Sequence, residues 1–299
     1  VSATGPAGDD EAASAGGRLL IWCADRPGIV AAVSAFLAAR GANITASDQH
    51  SSDPRDGRFF MRMEFQLAGL ERAAAELEAA FVDEVVGRFA MEWRIAYPGR
   101  RKRVGILVSH EGHCVFELLS RWRRGELDAE IVGVIGNHRV LEEEVRGQGV
   151  EFTHVPTPKG GREAAEEELL GALVGRCDLV VLARYMQILS GDFLDRLAVP
   201  VINIHHSFLP AFPGAAPYRR AHERGVKIIG ATAHYVTEEL DDGPIIEQDV
   251  ARVSHRATVA DFVRTGADIE RAVLARAVRW HLEDRILVDE RKTVVFAGE

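Results

Sequence analysis

The chain has 299 residues, 47% of them apolar and 27% charged, with a formal net charge of −9 from 36 basic and 45 acidic side chains. That length holds two domains rather than one small core, and the composition is that of a globular protein. The acidic balance argues against a general nucleic-acid surface. Cys23, Cys114 and Cys177 are odd in number and show no CxxC spacing, so they read as buried thiols of a reducing compartment. The 11 histidines show no HExxH pattern, and no metal site is expected. Residues 1–16 (VSATGPAGDDEAASAG) are small, polar and acidic, and are expected to form a disordered tail rather than a signal peptide or membrane span. Nothing else reaches transmembrane length, so a cytoplasmic protein with no membrane and no nucleic-acid partner is expected.

In chain order, Arg18 to Cys23 reads as a strand and Ala24 to Gly28 as a turn. From Ile29 the spacing of Ile29, Val33, Phe36 and Leu37 predicts a helix that ends at Gly41. Asn43 to Ser47 predicts a second strand. Phe59, Met61, Met63 and Phe65 alternate with Phe60, Arg62 and Glu64, the period of a half-buried third strand. Glu71 to Phe81 has strong helix composition, and Phe89 to Tyr97 closes the unit as a strand. The order βαββαβ over residues 17–97 is the ferredoxin-like arrangement. The turn from Asp25 to Gly28 feeds a helix N-terminus, whose free N–H groups suit a carboxylate.

Pro98 to Arg103 is a basic stretch read as a linker. Beyond it, over 104–299, strands and helices alternate. Strands are predicted at Val104–Val108, Glu130–Ile135, Asp178–Ala183, Val199–Ile204 and Lys227–Val236. Helices are predicted at Cys114–Trp122, near Val140–Arg146, at Glu163–Val174 and at Thr258–Glu283, with extended chain from Ile245 to Gln248 and a last strand at Thr293–Phe296. This pattern argues for an open, mostly parallel α/β sheet, whose ligand lies beyond the carboxyl ends of the strands. The first turn of that domain, Ser109-His-Glu-Gly-His113, has one glycine where a phosphate-cradling turn wants several. His110 and His113 there read as surface or capping residues.

The stretch Val201 to Tyr218 stands apart. An apolar strand places Asn203 and His205 on one side, and Pro210, Pro213, Gly214 and Pro217 then break regular structure. An amide donor and an imidazole at the end of a buried strand are what attack on a carbonyl uses. Asp241 and Asp242 fall in the turn Thr237 to Pro244, where Asp-Gly is good turn chemistry, and one of them is a candidate to orient His205.

Two resemblances extend these readings. Asp25-Arg-Pro-Gly-Ile-Val30 with Gly41-Ala-Asn-Ile44 resembles the ACT domains, regulatory modules that often bind amino acids. Asn203-Ile-His-His-Ser-Phe-Leu-Pro-Ala-Phe212, Ala183-Arg-Tyr-Met-Gln-Ile-Leu189, Gly230-Ala-Thr-Ala-His-Tyr-Val236 and Leu240-Asp-Asp-Gly-Pro244 resemble the folate-dependent formyltransferases and, among them, the formyltetrahydrofolate deformylases. An ACT domain ahead of the hydrolase domain is also the deformylase organisation. At Gly136-Asn137-His138 the chain has Gly where that pattern has Ser. The resemblance implies hydrolysis of 10-formyltetrahydrofolate to tetrahydrofolate and formate, feeding purine synthesis and balancing one-carbon folate pools. It implies Asn203, His205 and Asp241 as catalytic residues and Met186, Gln187, Ile188, Leu189, Thr237 and Gly243 around the pterin. His206 is expected to narrow the side on which the formyl group is received. It also implies no cofactor beyond the folate substrate, an amino-acid effector at the ACT domain, and a homo-oligomer. The competing readings are formyl transfer to an amine and a non-catalytic amino-acid sensor.

Overall fold

The computed structural model describes residues 14–53, 55–97, 99–210 and 217–298. The first part of the expected tail (1–13), Pro98, and residues 211–216 with Pro213 and Gly214 lie outside them. The chain divides between Arg100 and Arg101 into two compact units.

In the first unit the elements are β1 (Ser14–Ala24), α1 (Ile29–Ala39), β2 (Asn43–Ser51), β3 (Arg58–Ala68), α2 (Leu70–Phe81), a π turn over Val82–Val86, α3 (Gly87–Phe89) and β4 (Glu92–Ala96). The strands pair antiparallel in the order β2-β3-β1-β4. Leu19 and Ile21 of β1 and Met61, Met63 and Phe65 of β3 pack with Ile29, Val33 and Leu37 of α1 and Leu70, Leu77 and Phe81 of α2, so both helices cover one face. This is the expected ferredoxin-like βαββαβ layout. Three local expectations fail. Ser14 to Gly16, expected at the end of the disordered tail, open β1 because their backbone continues the antiparallel pairing with Gln66 to Ala68 of β3. Phe60 and Arg62, on the other face of β3, are buried as well, Arg62 in an ion pair with Glu64 at 2.6 Å. Phe89 ends a helical run rather than starting a strand, because Phe81, Val85 and Phe89 recur every four residues and all turn inward.

The second unit opens with β5 (Lys102–Val108), α4 (His113–Arg123), β6 (Ala129–Gly136), α5 (Glu142–Gly147) and β7 (Phe152–His154). It continues through α6 (Arg162–Leu173), β8 (Leu179–Leu182), α7 (Gly191–Leu197), β9 (Val201–His205) and α8 (Pro217–Glu223). It ends with β10 (Ile228–Tyr235), β11 (Ile245–Arg252), α9 (Val259–Leu282), β12 (Ile286–Asp289) and β13 (Lys292–Val295). Among the described residues its main sheet has seven strands in the order β11-β10-β9-β8-β5-β6-β7. The strands from β9 to β7 run parallel, and β10 and β11 add antiparallel. Alternation along β5 sorts side chains between the two faces: Val104, Ile106 and Val108 join one core with α4 and α9, and Leu107 joins another with α6 and α7. Chain order reverses between β5 and β8, which makes the carboxyl ends of β5, β8 and β9 the place for a ligand.

The sequence reading does not anticipate β7, α7 and β12, whereas Arg219 and Arg220, which read as the solvated start of a helix, lie in α8. For α7 a signal exists: the Ser190 hydroxyl caps the helix by accepting from the Phe193 amide at 3.1 Å, and Phe193 and Leu197 bury at helical spacing. β7 has only three residues, too few for a period to register.

Candidate active site

β9 runs from Val201 into His205, with Ile202 and Ile204 fixed in one core and Val201 in the other. That anchoring aims Asn203 and His205 at the carboxyl end of the sheet. β10 lies antiparallel beside it, with His234 directly opposite Asn203 and Thr232 opposite His205. The chain leaves β10 through the turn that carries Asp241, whose backbone adopts the left-handed conformation at φ 57°. Aspartate tolerates that region better than most residues. Gly243 packs so closely on the Tyr235 carbonyl that a Cβ would overlap it. Gly243→Ala should therefore push the Asp241 turn outward, cutting turnover and stability (by about 1–3 kcal/mol) together; thermal melting alongside an activity assay checks this.

The turn brings Asp241 Oδ1 to 3.2 Å from His205 Nδ1 and 3.9 Å from His234 Nε2. Asn203 Nδ2 lies 3.2 Å from His234 Nε2, while His234 Nδ1 lies 2.9 Å from the Tyr235 carbonyl. A carbonyl only accepts, so Nδ1 of His234 carries the proton and its Nε2 accepts from Asn203. That tautomer holds the Asn203 amide with its second N–H free. His205 is 5% exposed, and its Nε2 is buried without a hydrogen-bond partner among the described residues.

Electrostatics follow the same plan. Burial pushes the Asp241 carboxyl upward, but the hydrogen bond to His205 outweighs it, leaving the pKa below the ordinary value. Burial lowers His234, so it stays neutral. Burial and the nearby Arg184 charge bring His206 down from 6.5 to about 4. Because the folded value lies below the unfolded one, the unfolded chain binds more protons between these limits. The stability held by a neutral His206 is complete above pH about 6.5 and drains away as pH falls towards about 4, on the order of 3 kcal/mol in all. The thermal midpoint of His206→Asn should thus fall less steeply than that of the unaltered chain over that window.

These groups line a cavity of about 220 Å3. Asn203, His205, His206 and Asp241 share it with Met186, Gln187, Ile188 and Leu189 on one side and Thr237 on another. Met186, Ile188 and Leu240 leave apolar surface exposed at the rim, 55%, 56% and 61% respectively. The Ser109 hydroxyl accepts from the Met186 amide at 2.9 Å and ties this segment to the end of β5. Gly243 does not line the cavity. Asp242 points away and pairs with Arg291. His110 is exposed and stacks on His138, as a surface residue would. His113 is not a surface residue: its Nε2 sits 2.8 Å from Glu270 Oε2 in a buried cluster. Sequence reasoning missed His234, Arg184 and Glu270.

The formyl transferase family model matches residues 102–278 and the ACT domain model residues 17–82. Formyltetrahydrofolate deformylase from Mycobacterium tuberculosis is 58% identical over 280 residues, covering 94% of this chain and 90% of that protein. The chain belongs to the formyltetrahydrofolate deformylase family. The Bacillus subtilis deformylase is 52% identical over 281 residues, 94% of this chain and 93% of its own. The crystal structure of the deformylase from Pseudomonas syringae pv. tomato superimposes with a TM-score of 0.88 at 48% identity, covering 96% of both chains. Family membership thus extends over both units, in the order ACT domain then formyl transferase domain. No described helix is long and apolar enough to cross a membrane.

Proposed function

We infer that the chain hydrolyses 10-formyltetrahydrofolate to tetrahydrofolate and formate. The observation that carries this is the His205–Asp241 contact at 3.2 Å beside Asn203 in one cavity, in a chain 58% identical to a deformylase. The apolar strip from Met186 to Leu189 receives one edge of the pterin and the turn from Thr237 the other, with the formyl group between Asn203 and His205.

Water attacks the formyl carbon and a C–O bond forms. Negative charge builds on the formyl oxygen, where the free N–H of Asn203 donates to it, while Nε2 of His205 is left with the lone pair that receives the proton from water. One well-placed donor of this kind is worth about 2.7–4 kcal/mol at the transition state. Asp241, kept ionised by its surroundings, holds the His205 proton on Nδ1 and stabilises the imidazolium. The pair takes up the proton that water gives away and returns it to N10 as the C–N bond breaks.

Transfer to an amine is the other reaction open to such a site. Release of formate from 10-formyltetrahydrofolate without any added amine separates the two: the deformylase reading expects steady turnover, and turnover only on addition of an amine would overturn it. A chain that is only a sensor would bind folate or amino acid and release nothing.

The first unit gives the reading a regulatory side. The N-terminus of α1 has no side-chain cap, and Gly28 before it sits at φ 96°. Its free N–H groups, beside Asp25 and its partner Ser51, form the place for an amino-acid carboxylate. Titrating formate release with individual amino acids tests this, and identical rates with all of them would remove it. The three free cysteines are all buried, in keeping with a reducing, cytoplasmic setting, and a homo-oligomer is part of the same proposal.

A further inference from the structure

Arg184 follows β8 with a backbone φ of 64°, the left-handed region where glycine is at ease and a long side chain is not. The residue is among those lining the same cavity as Asn203, His205 and His206, and its side chain keeps 13% of its surface exposed. Nε and Nη1 are buried and have no hydrogen-bond partner among the described residues. Its nearest opposite charge is Glu270 of α9, Oε2 at 3.4 Å from Nε. Glu270 is itself 1% exposed and engaged elsewhere: Oε2 with His113 at 2.8 Å, and Oε1 accepting from the Tyr218 hydroxyl at 2.5 Å. Burial raises its carboxyl, but the His113 bond and the Arg184 charge outweigh that and keep it ionised. Glu270 therefore anchors the guanidinium by charge and leaves its donors unspent. A strained backbone and unpaired buried donors at the edge of a reaction cavity call for a functional account.

We propose that Arg184 determines specificity, admitting water and rejecting amines as the group that receives the formyl. This rests on reading the cavity as the formyl site. Arginine offers five N–H donors and no acceptor. A water oxygen has two lone pairs: one forms the bond to the formyl carbon while the other accepts from the guanidinium. An amine nitrogen has a single lone pair, spent entirely on the attack, so its N–H groups face the N–H groups of Arg184. A protonated amine is repelled by charge as well. Glu270 acts as a positioning residue that holds this donor-only wall in place.

The test is the fate of the formyl group when 10-formyltetrahydrofolate is turned over with glycinamide, an α-amino compound that is largely unprotonated above pH about 8. The unaltered chain should give formate alone at every glycinamide concentration. Arg184→Met keeps the length and removes the donors, and Arg184→Gly removes the side chain where the backbone suits glycine. Both should divert formyl to N-formylglycinamide, changing the product ratio at least ten-fold. Arg184→Lys retains a donor-only cation and should still give formate alone at a lower rate. Product ratios in the Met and Gly variants equal to that of the unaltered chain would overturn the proposal. So would a Lys variant that partitions like Met, or complete loss of turnover in both Met and Gly. An unaltered chain that releases no formate would instead sink the hydrolase reading itself.

Discussion

Replacing His205 by Asn should lower kcat by about 10²–10⁴-fold while leaving KM within a few-fold. His205 ends β9 with Nδ1 held by Asp241 at 3.2 Å and Nε2 buried without a partner, so no other described group stands ready to take its place. Asparagine keeps a polar side chain in a site that is already enclosed, but it cannot take up a proton from water and return it to N10. The cavity walls that would grip the pterin, Met186 to Leu189 and Thr237, are untouched by the change. Steady-state formate release at several substrate concentrations separates the two parameters, and circular dichroism reports whether the fold is kept. A loss below ten-fold would mean that the imidazole only shapes the cavity.

Asp241→Asn is expected to cost about 10³–10⁴-fold in kcat, the size that follows when an imidazole loses its orienting carboxylate. The substitution is mild for the backbone, since asparagine also accepts the left-handed conformation found at φ 57°. Its effect is electrical. An amide carries no charge to stabilise an imidazolium, and its N–H can turn towards Nδ1 and drive the proton to the wrong nitrogen. Because the two residues act as one unit, the double variant should be scarcely slower than the worse single one. Losses that multiply would show instead that His205 and Asp241 act independently.

The parts of this site that can be read in the sequence are those carried by one local segment. Asn203 and His205 share a side of β9 because alternation along a strand is local, and the turn that holds Asp241 announces itself through Asp-Asp-Gly-Pro. His234 is different. Its meaning comes from lying opposite Asn203, and that register is set by how β10 docks antiparallel on β9, which no local period reveals. Glu270 does carry a local signal: Gly266, Glu270, Val273 and Ala277 fall on one stripe of α9, so a carboxylate sits in an apolar row where it must find buried partners. His113 and Arg184 supply them from α4 and the end of β8, far away in the chain.

In the first unit the error at Phe89 has a similar origin. Phe89 to Tyr97 has the residue types of a strand, yet the inward spacing of Phe81, Val85 and Phe89 carries the helical run further. Packing against the sheet overrides local preference there.

The decisive measurement is the origin of the oxygen in the product. With 10-formyltetrahydrofolate turned over in water enriched in heavy oxygen and no amine present, each formate should carry one solvent oxygen and one from the formyl group. Formate without solvent oxygen, or no formate until an amine is supplied, would contradict direct attack by water at Asn203, His205 and Asp241.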